Sequence, residues 1–183
     1  MEKLKWRVWI SDRKQVEYDF RKYIKKGLLR KIRPESRLAR SHINKAFHNL
    51  DFASFTFLNQ QNINKRIADE TYFDWVVIIS YYAMYHSALA ILYELGYKSS
   101  SHLATICVLC KKCLGKTLEN DDIERISRIL GLSEKEINEI GTAKERREKA
   151  SYSGSISFER YLAEMTLDDA RKFVNKAADT LPE

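Results

Sequence analysis

The sequence predicts an all-α fold, a bundle of four or five main helices. Three observations predict it. The stretch from Trp75 to Leu95 is almost wholly apolar, and only His86 and Glu94 in it ionise near neutral pH. Ala39, Ile43, Ala46, Leu50, Ala53 and Phe57 follow one another by alternating steps of four and three, the spacing of a bundle seam. Glycine and proline are scarce, 6 and 2 of 183 residues, which disfavours a turn-rich β architecture.

Each element has its own signal. KWRVWI, from Lys5 to Ile10, reads as a short edge strand or as a tail packed on the bundle. Ser11 or Asp12 caps a first helix with Val16, Phe20, Tyr23 and Leu28 near one face, and Gly27 weakens its end. Pro34 stands where the seam helix begins. Gln60 to Glu70 is polar and reads as a loop. The apolar rod follows and stops at Gly96, a residue suited to the left-handed turn that ends a helix. Ser101 caps the next helix, with Leu103, Ile106, Cys107, Cys110 and Leu114 on its face. A short helix spans Asp121 to Leu130, with Gly131 as its stop. Ser133 and Glu136 form a capping box for a helix through Ile137 and Ile140 to about Ser151. Ser153 to Ser157 reads as a loop, and Thr166 with Asp169 as the cap of a last helix that turns Ala170, Phe173, Ala177 and Leu181 inward. No strand is expected beyond the first ten or so residues.

The apolar rod is long enough to cross a bilayer. Four tyrosines inside it (Tyr81, Tyr82, Tyr85 and Tyr93) argue against that, since membrane-spanning helices place Tyr at the interfaces. A helix apolar all round is instead expected to be buried on all sides. Lys3, Lys5 and Arg7 break up the start of the chain, which has no apolar signal-peptide core. The expected location is the cytoplasm, away from membranes.

Charge is uneven. Residues 1–50 hold 15 Lys and Arg against 5 Asp and Glu, an excess of +10, so the rest of the chain carries −3 of the net +7. The densest part runs from Arg21 to Arg40. Its Arg21, Lys22, Lys25, Lys26, Arg30, Lys31 and Arg33 are the candidate nucleic-acid contacts, because clustered cations attract phosphate backbones. A solvated basic helix surface has the same composition.

Cys107, Cys110 and Cys113 form a C-x-x-C-x-x-C run inside a predicted helix. Steps of three on a helix turn each thiol by about 300° from the last, which spreads the outer two too far apart to share an ion. No metal and no cofactor is expected. Phosphate-loop, dinucleotide, nucleophile-elbow and zincin motifs are absent. His42, His48, His86 and His102 share no short ligand spacing, and His86 on the rod reads as a hydrogen-bonded core histidine.

Three pieces together resemble a known family. GLLRKIRP leads into the seam helix; SYYAMYHSALAILYELGYKSSSH forms the rod, its glycine turn and the Ser-His cap; AKERREKASY precedes a closing helix ending in DDARKFVNKAADTL. In this order they resemble the HEPN family, closest to the small prokaryotic branch often encoded beside a minimal nucleotidyltransferase. The resemblance covers about Gly27 to Leu181 and implies an HEPN-like up-and-down bundle over residues 27–183, with residues 1–26 as an appended N-terminal element.

The resemblance also implies a homodimer and a toxin–antitoxin component acting with a minimal nucleotidyltransferase, with RNA or nucleotide as a further ligand. Many family members are metal-independent ribonucleases whose signature is Arg, four to six residues, then His. There His moves a proton and Arg stabilises charge on phosphorus. This chain has Arg146 and Arg147, but the window after them holds Ser151, Tyr152 and Ser153 and no histidine. Arg146, Arg147 and Tyr152 are therefore the candidate catalytic set, with His86 or His102 as displaced histidines. Two alternatives stand beside the toxin–antitoxin reading: a non-catalytic module that binds nucleotide or substrate, and an active metal-independent ribonuclease.

Overall fold

The computed structural model describes residues 5–63, 71–130 and 153–182. The described residues are mostly helical, with one two-stranded sheet, so the all-α assignment holds. Three long helices make the body: α3 (Ser36–Leu58), α5 (Phe73–Glu94) and α8 (Ser153–Asp179). Helices α3 and α8 both pack along α5 and also touch each other. The seam residues Ala39, Ile43, Ala46, Leu50 and Ala53 are all buried, and Phe57 packs against the core from its edge. From α8, Ala163, Leu167, Ala170, Phe173, Val174 and Ala177 are buried against them, and Leu181 is partly buried.

A second layer covers the other end. Helix α1 (Lys5–Ser11) buries Trp6 and Trp9. This corrects the edge-strand reading of KWRVWI: two tryptophans three apart share a helix face, whereas a strand would send them to opposite sides. Asp12 caps α2 (Arg13–Lys25), its carboxylate accepting from the amides of Lys14 at 2.8 Å and Gln15 at 3.0 Å. The buried Asp19 carboxylate accepts from the Trp9 indole at 2.9 Å, which locks α1 to α2. Both helices lie on α6 (His102–Lys112), so Val16, Phe20 and Tyr23 join the single apolar core. Helix α7 (Asn120–Leu130) starts as expected, with the Asp122 carboxylate accepting from the Glu119 amide at 2.9 Å. Ser101 stands at the N-cap of α6, but its hydroxyl makes no capping bond; its carbonyl receives Thr105 instead.

The expectation of no strand past the first residues is corrected. β1 (Leu29–Lys31) and β2 (Tyr97–Ser99) pair antiparallel, with Arg30 opposite Lys98. Gly96 makes this possible. Its φ of +74° turns the chain out of α5, and an added Cβ would lie 2.8 Å from the Ile32 carbonyl oxygen. The Ile32 amide donates to the Gly96 carbonyl at 2.9 Å, so the end of α5 and the end of β1 are joined at one point.

Other readings shift. Gln60–Ile63 is a helical turn, α4, rather than loop, and residues 64–70 lie outside the described residues. Ser153, expected in a loop, already begins α8. Thr166 is no cap: its hydroxyl donates to the Leu162 carbonyl at 2.7 Å within the helix. The capping-box helix from Ser133 through Ile137 and Ile140, and the stop at Gly131, lie outside the described residues.

The rod is not buried on every side. Ala83, Met84, Ala88, Ala90 and Leu92 are fully buried, while Trp75 is 53% and Tyr82 46% exposed along one edge. α5 is the one helix among the described residues long and apolar enough to cross a membrane, and its burial is that of a core helix. Because Ala46 is fully buried in the seam, Ala46→Leu should lower the unfolding free energy by about 1–3 kcal/mol through overpacking. Urea denaturation with unchanged m-value checks this; an unchanged midpoint would mean that the seam is loosely packed.

Candidate functional site

The partly open edge of α5 carries a cluster of histidine and tyrosine side chains. His86 lies there half-buried, and the antiparallel run of α3 brings His42 beside it. Their Nδ1 atoms are 2.9 Å apart. One imidazole must donate and the other accept, so the two rings hold complementary tautomers. His42 also stacks on Tyr93, with ring centroids 5.1 Å apart and planes 13° from parallel. Burial lowers His86 to about 4, and the charges of His42 and Lys45 act in the same direction. Burial and then Lys45 lower His42 as well. At neutral pH the pair is therefore uncharged.

A second pair joins α5 to the first residue of α6. The Tyr81 hydroxyl meets His102 Nε2 at 3.0 Å, and the Tyr85 ring lies 5.0 Å from the His102 ring. Tyr81 and Tyr85 stack one turn apart, and Tyr82 packs edge-on against Tyr81. Burial raises Tyr85 above its ordinary value, which keeps its phenol protonated. The arrangement can donate and accept hydrogen bonds and offer aromatic faces. His86 at about 4 is tuned away from general acid–base work at neutral pH, where a group titrating near 7 is most effective.

The sequence signal for this cluster was partial. His86 was read as a hydrogen-bonded core histidine; it is bonded, but half-buried, and its partner lies 44 residues away. His42 stands beside the seam position Ile43, and only the antiparallel packing of α3 on α5 tells which rod residue it meets. The catalytic candidates Arg146, Arg147 and Tyr152 lie outside the described residues.

The seven basic candidates are all exposed. They are not alike. Arg21 pairs with Glu17 at 2.8 Å, and Lys111 pairs with the same carboxylate, so Arg21 is compensated. Lys22 and Lys25 stand on the last turns of α2, Lys26 follows its end, Arg30 and Lys31 lie on β1 and Arg33 lies beyond it. The strand pair adds Lys98, which no sequence spacing connects to them.

The three cysteines are free and buried. Burial pushes the Cys107 thiol far up, Cys110 to about 12 and Cys113 to about 11. Cys107 Sγ donates to the Val16 carbonyl at 3.7 Å, tying α6 to α2. Among the described residues no group of three or more His, Cys, Asp or Glu could hold a metal ion.

Residues 39–180 match the HEPN domain family. The chain belongs to the HEPN family. A UPF0332 protein of Archaeoglobus fulgidus is 33% identical over 104 residues, 56% of this chain and 70% of that protein. No solved structure matches. The match to this HEPN chain takes in the seam, the rod, β2 and α8. It begins after α1, α2 and β1, which hold most of the basic candidates.

Two outcomes follow. Between pH 6.5 and about 4 an unfolded His86 takes up a proton that the folded one refuses. Stability should therefore be full above pH 6.5 and fall as pH drops through that window, and His86→Asn should lose less between pH 7 and 5 than the parent in urea midpoints. Equal losses would remove the imidazole pair as the source. The thiols, held protonated by burial, should react with Ellman's reagent at pH 8 only slowly in the folded chain and all three at once in denaturant. Rapid native labelling would show that α6 opens.

Proposed function

We propose that this HEPN chain is a cytoplasmic toxin–antitoxin component that works as a homodimer with a minimal nucleotidyltransferase and acts on RNA. The observation that carries the reading is the partly open edge of α5 in a HEPN-family chain. Trp75 and Tyr82 stand out of it, and Phe52 on the facing helix is 55% exposed. Exposed apolar rings on two helices that pack against each other suit docking better than solvent. Family membership supports nuclease or toxin–antitoxin roles in general.

A second reading is favoured by a specific observation. The window after Arg146 and Arg147 has no histidine, and His86 titrates at about 4. Both suit a module that binds nucleotide or substrate without cleaving it. The ribonuclease reading needs Arg147 and Tyr152 to work with His86 or His102 as proton carrier.

Light scattering at micromolar concentration should give twice the 21.5 kDa chain mass. Trp75→Glu with Tyr82→Glu should weaken self-association at least tenfold, as loss of aromatic anchors costs more than about 1.4 kcal/mol. A monomeric parent would count against the dimer. Cleavage of single-stranded RNA in EDTA, abolished by Arg147→Ala, would favour the ribonuclease. RNA binding without cleavage, together with co-purification of a minimal nucleotidyltransferase, would favour the binding role. Absence of RNA binding, cleavage and a nucleotidyltransferase partner would overturn both.

A further inference from the structure

The β1–β2 sheet carries a feature that packing alone does not account for. Arg30 and Lys98 are direct cross-strand partners and both are exposed. Like charges placed directly opposite destabilise a ladder. Neither Arg30 nor Lys98 forms an ion pair with another described residue, and the same holds for the flanking Lys26 and Lys31. The charge is concentrated there and left uncompensated.

Beside the two cations lies a cleft of about 220 Å³, lined by Gly27, Leu28, Arg30, Lys98, Ser99 and Ser100. Its lining has no carboxylate and no aromatic ring. Gly27, at φ +70°, has nothing within 4 Å of where a Cβ would stand, so the mouth is open. The Ser100 amide donates to the Leu28 carbonyl at 3.0 Å, while its hydroxyl reaches that same oxygen only at 3.4 Å. That is long for a hydroxyl donor, so this group can turn to a better acceptor.

We propose that this cleft is a phosphate site. Arg30 supplies a fork of donors, Lys98 a point charge and Ser100 a hydroxyl donor. The volume falls below the roughly 300–1,000 Å³ of pockets that enclose a whole small molecule. With no ring to stack a base, the cleft takes the phosphate and not the nucleobase. The inference rests on the RNA reading above and gives that reading a contact point outside the family-matched residues for β1. The phosphate belongs either to a diester of an RNA backbone or to a monoester such as a 5′ end or a free nucleotide.

The test uses the full ¹⁵N-labelled chain. Amide resonances of Gly27, Ser99 and Ser100 are followed against inorganic phosphate, AMP and a short oligoribonucleotide with 5′-hydroxyl ends, with sodium chloride at matched ionic strength as control. Saturable shifts with phosphate and AMP alone identify a monoester site; shifts with the oligonucleotide identify a backbone site. Arg30→Gln with Lys98→Gln should weaken binding at least tenfold while the thermal midpoint without phosphate stays level or rises, since a repulsive pair is removed. Arg21→Gln with Lys22→Gln, an equal loss of charge elsewhere, should weaken it less than threefold. No saturable shift with any probe, or equal weakening by the two double variants, overturns the site. RNA binding that survives Arg30→Gln with Lys98→Gln unchanged overturns this inference and leaves the RNA reading standing; saturable phosphate binding by a chain that binds no RNA does the reverse.

Discussion

Ala39, Ala46 and Ala53 on α3, and Ala163, Ala170 and Ala177 on α8, each recur at an interval of seven residues, and all six are 1% exposed or less. Side chains this short let helix axes come close, and a seven-residue interval keeps them on one face over several turns. Larger residues, Ile43 and Leu50 on α3 and Leu167 and Val174 on α8, sit between the alanines and fill the gaps beside them. α5 supplies the matching surface, with Ala83, Ala88 and Ala90 fully buried. Two helices approach the rod this closely on two sides. The rod's remaining circumference must be covered by shorter elements, and they do not reach all of it.

That geometric shortfall explains why the open edge of α5 is aromatic and imidazole-rich rather than aliphatic. Tyrosine and histidine place an apolar ring on the core and a polar tip outward, so half-burial costs them little. Leucines there would expose a continuous apolar patch. The rings satisfy one another: His42 with His86, Tyr81 with His102. Each bond crosses between helices, so the polar edge also fixes how α3 and α6 lie along the rod. The lowered titration of His86 is the electrostatic trace of the same half-burial.

Much of the architecture was legible because it rests on periodicity. The seam, the rod, the stop at Gly96 and the cap at Asp12 follow from local spacing, and Ser101 holds the N-cap position without a side-chain bond. Failures came where one residue type serves two physical ends. Thr166 looks like a cap in sequence, yet a threonine inside a helix can return its hydroxyl to the carbonyl four residues back, and this one does. The strand pair escapes a sequence reading because three-residue strands carry no alternation to detect, and its register depends on a contact between Gly96 and Ile32 that spans 64 residues. KWRVWI was ambiguous between periods, and burial of both tryptophans decided it. The histidine pair was illegible for the same reason as the strand pair: its members meet only after the helices pack. The candidate set Arg146, Arg147 and Tyr152 was read from family resemblance and lies outside the described residues.

The corner that closes α5 joins these two illegible features. The Tyr93 carbonyl accepts the Glu35 amide at 3.1 Å, at the entry to α3, and the Gly96 amide at 3.1 Å. The Tyr93 ring stacks on His42. Three residues on, Gly96 holds Ile32 and so sets the register that places Arg30 opposite Lys98. One short segment, Tyr93 to Gly96, therefore positions the imidazole pair on one side and the cationic ladder on the other. Its backbone is bonded at both ends, and Gly96 admits no side chain without displacing the Ile32 carbonyl. A change at this corner would be felt by both groups of residues together, through backbone geometry rather than through any charge they share.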